Sequence, residues 1–435
     1  MKIVIVGNGI AGNEVAFSLR ERTPEHEIKI LSAEKFPEYD PCSLPYYIGG
    51  DVPREVVFRR SLDDYQNKNI TLVLDSPVVS IDPHAGAVVT AKGEKHFYNK
   101  LVLAHGGRLF IPPIEGVDRQ GVLSCKLLGE ADKLSEHGGS TAVVIGSGAI
   151  GVEAAEALKK KGYVVYIIEL LDWILPALFD EATARRLEAA LRTYGIQVLT
   201  AEKVLRIDGD TAVTGVVTDK REIPCDTVVI ATGVVPGTAL AQTAGIEVER
   251  GIKVNSRMET SVEGIYACGD CVETIDACTG EDVMFQLKHN ATEQARIVAR
   301  NILGMNATYT GAYAFARAHF FDTHAVTFGK TSRSTACLLG DTEVIERENG
   351  KDYLRLILLD GKVAGGQAIG TYADSIGLFM GAMWRQDDIK TLRKNWVNIV
   401  RAGSPYPWIY RKMGWLIGLS ATDVSSDAAA VCQSF

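Results

Sequence analysis

The chain has no apolar run that reaches the roughly 18–20 residues of a membrane helix. It has no long Lys/Arg run either, and its net charge is -8, which argues against nucleic acid as a partner. The opening Met1-Lys2-Ile3-Val4-Ile5-Val6-Gly7 is basic and then apolar, as a secretory leader is, but the apolar stretch is short and no small-residue cleavage site follows. A cytoplasmic protein without a membrane span is the expectation. The eight cysteines show no disulfide-framework spacing, consistent with a reducing compartment. One absence matters more than the others: no second cysteine stands between Cys42 and Cys125.

What is present is ordinary for a globular protein. The 435 residues suffice for two or three domains, and 46% are hydrophobic and 23% charged. Residues 2–6 have a buried-strand pattern and lead into Gly7-Asn8-Gly9-Ile10-Ala11-Gly12, then a helix-like stretch from Asn13 to Arg22. A second strand pattern, Glu27 to Leu31, leads to Glu34. In such a unit the glycines permit a tight turn and close backbone approach. The helix N-terminus faces a pyrophosphate, and an acid about 20 residues on takes ribose hydroxyls. A lone GxGxxG is weak evidence, but between a strand and a helix, with Glu34 downstream, it is strong.

The pattern recurs. Thr141 to Ile145 reads as a strand, Gly146-Ser147-Gly148-Ala149-Ile150-Gly151 as the turn, and Val152 to Lys161 as the helix; the strand Tyr163 to Ile168 ends at Glu169. Glu169 accepts from a free ribose 2′-hydroxyl and repels a 2′-phosphate, and Leu170, Leu171 and Asp172 supply no arginine after it. NADH is therefore expected over NADPH.

On these motifs the chain resembles the two-dinucleotide flavoproteins of the pyridine nucleotide-disulfide oxidoreductase superfamily over nearly its whole length. Residues 98–107, ending Ala104-His105-Gly106-Gly107, look like the segment that closes the first FAD half, and residues 226–233, ending at Gly233, like its counterpart after the NAD domain. Residues 260–270, ending Cys268-Gly269-Asp270, resemble the second FAD motif, whose aspartate bonds the ribityl chain. The resemblance implies an α/β fold with two Rossmann-like domains, a split FAD domain (1–112 and 238–305), an inserted NAD(P)H domain (113–237) and a C-terminal α/β dimerisation domain (306–435). It places FAD on Gly7, Gly9, Ile10, Ala11, Gly12, Glu34, Ala104, Gly106, Gly269 and Asp270. It places NADH on Gly146, Gly148, Ile150, Gly151, Glu169 and Gly233. His105 stands where relatives usually carry Thr; it reads as a solvent-facing or packing residue. The Cys268-x-x-Cys271 pair coincides with the second FAD motif and reads as small packing residues, since no further pair completes a zinc set with it or with nearby Cys278.

Dithiol members of the superfamily carry two cysteines about four residues apart. With Cys42 alone, the chain resembles the single-cysteine branch: coenzyme A-disulfide reductases, persulfide reductases, NADH oxidases and NADH peroxidases. Cys42-Ser43-Leu44-Pro45-Tyr46 looks like the motif of the CoA-disulfide members. Peroxidases and water-forming oxidases carry a histidine where Ile10 stands, which tilts the expected substrate toward a small disulfide or persulfide. The chemistry needs a thiolate, and a helix N-terminus and an oxidised flavin beside Cys42 are expected to stabilise one. In the CoA-disulfide members a partner-subunit tyrosine near the C-terminus reaches the active site, and Tyr406 is the candidate here, a structural tyrosine at the dimer interface being the alternative.

Four of the five tryptophans, Trp384, Trp396, Trp408 and Trp415, lie near the C-terminus beside Arg411 and Lys412. Tryptophan beside basic residues suits a membrane interface, but a homodimer or partner interface, where aromatics are enriched, is the expectation. The alternative function, from another class, is an NADH-dependent flavin reductase of a redox protein, complex subunit or quinone, with this tail as the docking surface. His289 and Cys432 read as surface and tail residues.

Overall fold

The computed structural model describes residues 1–331 and 340–393. They form two compact units, one of residues 1–168 and 202–313 and one built on residues 169–201 and the chain from 314 onward. Among the described residues no helix is long and apolar enough to cross a membrane.

The first unit contains the two nucleotide-type sheets. One has five parallel strands in the order Ile265–Ala267, Lys100–Leu103, Lys2–Val6, Glu27–Leu31, Ile70–Val73. The central strand is Val/Ile-rich and buried from Ile3 to Val6, the pattern expected of a parallel strand covered on both faces. Val6 pairs with Leu31 on one side and Leu103 on the other, so three strands end level and Gly7 emerges at their carboxyl edge. The second parallel set joins Val164–Ile168, Thr141–Ile145, Thr227–Ile230 and Val122–Leu123. Val143 and Val144 of its central strand are fully buried; each contributes about 1.5–3 kcal/mol of apolar burial. The helices Ile10–Arg20 and Ala149–Lys160 begin directly after the two glycine turns. Gly12 and Gly151, which read as turn residues, lie within their first turns, so both helices start three residues earlier than periodicity suggests.

A two-stranded antiparallel ribbon, Gly107–Leu109 with Val234–Pro236, carries the chain out of the first sheet region and back. Helix Lys288–Ile302 packs on Ile10–Arg20, with Arg296 Nε 2.6 Å from Glu14 Oε1.

The second unit has a five-stranded antiparallel sheet ordered Phe315–Phe320, Thr323–Gly329, Lys362–Ile369, Asp352–Leu359, Thr342–Asn349. The hairpin turns at Asp360-Gly361, with Asp360 at φ 50° and Gly361 at φ 76°. Arg355 on this sheet holds Asp180 at 3.1 Å and also pairs with Glu346. Helix Gly377–Trp384 covers the sheet with Phe379, Ala382 and Met383.

Candidate active site

The two glycine turns repeat each other in detail. Gly7 sits at φ 111° and Gly146 at φ 102°. A Cβ on Gly7 would strike the carbonyl of Ala104, and one on Gly146 the carbonyl of Ala231. Gly12 and Gly151 lie equally close to the carbonyls of Gly7 and Gly146. In each case the strand carbonyl, the turn and the helix start pack backbone to backbone. Gly9 and Gly148 are the N-caps and offer no side-chain acceptor, so the first N–H groups of both helices face outward for an anion.

Around the first turn the residues expected to hold FAD converge. Gly269, at φ 84°, faces Ala11: a Cβ there would lie 3.1 Å from the Ala11 Cβ. Its N–H donates to Gln294 Oε1 at 2.8 Å, and Gln286 Nε2 donates to the Asp270 carbonyl at 3.2 Å. Burial raises the Asp270 carboxyl above its ordinary range, with Lys126 acting against it. Burial also raises Glu34, opposed by the hydroxyl of Tyr39 and again by Lys126. Tyr39 Oη lies 3.1 and 3.0 Å from the two Glu34 oxygens and accepts the Leu128 N–H at 3.2 Å. Lys126 thus acts on both acids that the motifs assign to opposite parts of one cofactor, and no sequence motif points to it. Glycine-lined backbone, an uncapped helix start and a lysine between two acids fit a dinucleotide with its pyrophosphate.

Gly106, at φ 68°, accepts the Gly237 N–H at 3.0 Å, and Gly233, at φ 105°, accepts the Phe110 N–H at 2.9 Å. His105 is a packing residue: its Nε2 contacts the Gly237 carbonyl at 2.6 Å, and burial lowers its pKa. The residue stitches the base of the two-stranded ribbon. Ile10 and Ile150 are the first and second residues of their helices, and Ile150 is exposed. Glu169 opens the second unit and accepts the Leu171 N–H at 2.9 Å.

Cys42 lies in a short 3-10 turn, Pro41–Ser43, capped by Asp40, whose Oδ1 accepts the Cys42 N–H at 3.2 Å. The residue is solvent-exposed, yet protein surrounds the sulfur closely enough to push the thiol up to about 11. Burial is the main cause; Asp40 and Glu153 add to it, and Lys288 opposes it. Cys42 stands at the N-terminal end of the helical segment, as expected, while burial and the neighbouring carboxylates act against its thiolate. The helix that follows, Leu44–Ile48, has five residues and begins after the sulfur, while two of the nearest charges are carboxylates. Glu153, on the helix after the second glycine turn, is itself pushed up to about 7 by burial and by Glu156.

Of the other cysteines of this unit, Cys278 is exposed and the rest are buried. Cys268 and Cys271 are fully buried, and burial raises both thiols. Cys125 is buried and pushed up to about 12. Among the described residues no group of three or more His, Cys, Asp or Glu is placed to hold a metal. His289 Nε2 contacts the Tyr313 carbonyl at 3.0 Å. Tyr406, Cys432 and three of the four C-terminal tryptophans lie outside the described residues; Trp384 is exposed.

The family model for pyridine nucleotide-disulphide oxidoreductases matches residues 1–295. An NADH oxidase of Methanocaldococcus jannaschii is 31% identical over 85% of this chain and 88% of its own length. A CoA-dependent NAD(P)H sulfur oxidoreductase of Pyrococcus abyssi is 33% identical over 76% of this chain and 75% of its own. Among solved structures, an NAD-dependent persulfide reductase from A. fulgidus superposes with a TM-score of 0.86 at 32% identity, covering 91% of this chain and 79% of that one. The chain belongs to the pyridine nucleotide-disulphide oxidoreductase family and is an FAD-dependent, NADH-using oxidoreductase.

Proposed function

We propose that this enzyme uses NADH to reduce a small disulfide or persulfide, of coenzyme A type, at the single sulfur of Cys42. The observation that carries the reading is the position of Cys42. It is exposed, its backbone N–H is held by Asp40, and no second cysteine stands in the neighbouring sequence. The sulfur relatives support it as well.

The proposed binding roles follow the two turns. Gly7, Gly9, Ile10, Ala11, Gly12, Glu34, Ala104, Gly106, Gly269 and Asp270 would hold FAD, with Lys126 added to them. Gly146, Gly148, Ile150, Gly151, Glu169 and Gly233 would hold NADH. Bound there, FAD would supply the two-electron chemistry that links NADH oxidation to reduction of the sulfur. The chain's residues handle sulfur and protons. The Cys42 thiolate attacks one sulfur of the substrate disulfide, forming a mixed disulfide and releasing one thiolate. Two electrons and one proton then cleave that bond, returning the Cys42 thiolate and a second free thiol. Glu153, protonated below about 7, is the nearby group able to give a proton to a departing thiolate.

The test is the mass of the Cys42 peptide in the oxidised enzyme, together with Cys42→Ser. A CoA-sized adduct or one extra sulfur on the peptide supports the reading, and one extra oxygen points to oxidase chemistry. Cys42→Ser is expected to cut disulfide turnover at least about 1,000-fold, as loss of a nucleophile does, while FAD stays bound and NADH still bleaches it. Undiminished turnover overturns the reading in favour of electron transfer to a protein or quinone.

A further inference from the structure

Cys42 is tied through one carboxylate to Lys288, a residue 248 positions beyond Asp40. Asp40 Oδ1 accepts the Cys42 N–H at 3.2 Å, and Asp40 Oδ2 holds the Lys288 Nζ at 2.5 Å. Lys288 is the first residue of the helix Lys288–Ile302, whose N-cap Leu287 has no side-chain acceptor and whose first turn has no acid. The lysine stands at a helix end that favours anions. Its side chain remains 41% exposed, so the pair can open without unfolding anything.

We propose that Asp40 is a positioning residue that keeps the Lys288 charge away from the Cys42 sulfur, and that Lys288 is the charge that stabilises the thiolate once it changes partner. In the closed pair the two charges cancel, and the thiol faces a neutral ion pair plus the Glu153 carboxyl. When Lys288 turns from the carboxylate to the sulfur, the thiol proton passes to water and the nucleophile forms. The proposal rests on Cys42 being the reactive sulfur of the reaction above.

The groups around the sulfur come from several elements. Asp40 lies in its own turn, Lys288 on the helix Lys288–Ile302 and Glu153 on Ala149–Lys160. The other charges on packed elements are engaged with one another: Lys160 with Asp51 and Glu156, and Arg54 with Asp132. Asp40 and Lys288 are the two charges that act most strongly on the sulfur, and they act in opposite directions.

That opposition gives the test. Iodoacetamide alkylation of the Cys42 peptide in NADH-reduced holoenzyme is followed by mass spectrometry against pH, with visible flavin absorbance as the check on folding. Asp40→Asn keeps an acceptor for the Cys42 N–H and loses the charge, so its alkylation midpoint falls by about one pH unit or more. Lys288→Met raises the midpoint by a similar amount. Asp40→Ala loses both cap and charge; if its flavin content drops, the Asn variant still reads the charge alone. Midpoints that stay at the wild-type value in both Asn and Met variants, or that move in the same direction, overturn the proposal. The midpoint is read on the sulfur itself, so it stands or falls apart from the turnover of Cys42→Ser, which tests the underlying reading.

Discussion

Glu14 and Glu153 stand two residues beyond the last glycine of their respective turns, the same place in two copies of one motif. Glu14 is ion-paired with Arg296 at 2.6 Å and accepts from Ser18. Glu153 is half-buried, forms no ion pair among the described residues, and is pushed up to about 7. The acids downstream differ as well. Glu34 is held by the Tyr39 side chain, whereas Glu169 receives the backbone N–H of Leu171. One backbone solution is used twice with opposite side-chain chemistry. The first copy is tied down on all sides, as suits a resident cofactor. The second leaves its acid half-buried and pushed up by burial and by Glu156.

The sharpest way to break this comparison is at the glycines. Gly7→Val is expected to abolish visible flavin absorbance in the purified protein, because a Cβ there overlaps the Ala104 carbonyl. Gly146→Val, with the same overlap against Ala231, should retain flavin but lose bleaching by NADH. Equal loss of flavin in both would mean that the copies are not functionally distinct. Next in size is Glu169→Arg. Losing a hydrogen bond from a ribose hydroxyl to a carboxylate, about 1.5–3 kcal/mol, should lower kcat/KM for NADH roughly tenfold or more. The same change should raise it for NADPH; a variant with wild-type preference would remove Glu169 from nucleotide recognition.

The smallest effect concerns pH. Glu153 titrates near 7 in the fold and at 4.5 as an unperturbed group. The folded state therefore holds a proton that the unfolded chain releases, and this contribution is present below pH 4.5 and lost as pH rises through about 7. Glu153→Gln should flatten the melting temperature of the flavin-free protein across that window, while Glu14→Gln should leave the slope in place. A slope unchanged by Glu153→Gln contradicts the assignment.

The parallel strands and both turns are legible in the sequence because continuous Val/Ile runs and fixed glycine spacings are local signals. The helix starts are read late because Gly12 and Gly151 look like breakers, although their lack of a side chain is what lets the helix begin against the turn. The environment of Cys42 is not legible in the same way. Asp40, Glu153 and Lys288 come from three distant segments, and only packing shows that carboxylates outweigh the lysine. Lys126 escaped for the same reason: it belongs to no motif, and its proximity to Glu34 and Asp270 exists only in the fold.

Electron counting tests the central claim most directly. An anaerobic NADH titration of the oxidised enzyme should consume about two equivalents per flavin if Cys42 carries a reducible sulfur bond beside the cofactor, and about one in Cys42→Ser. One equivalent in both proteins would contradict a redox role for Cys42.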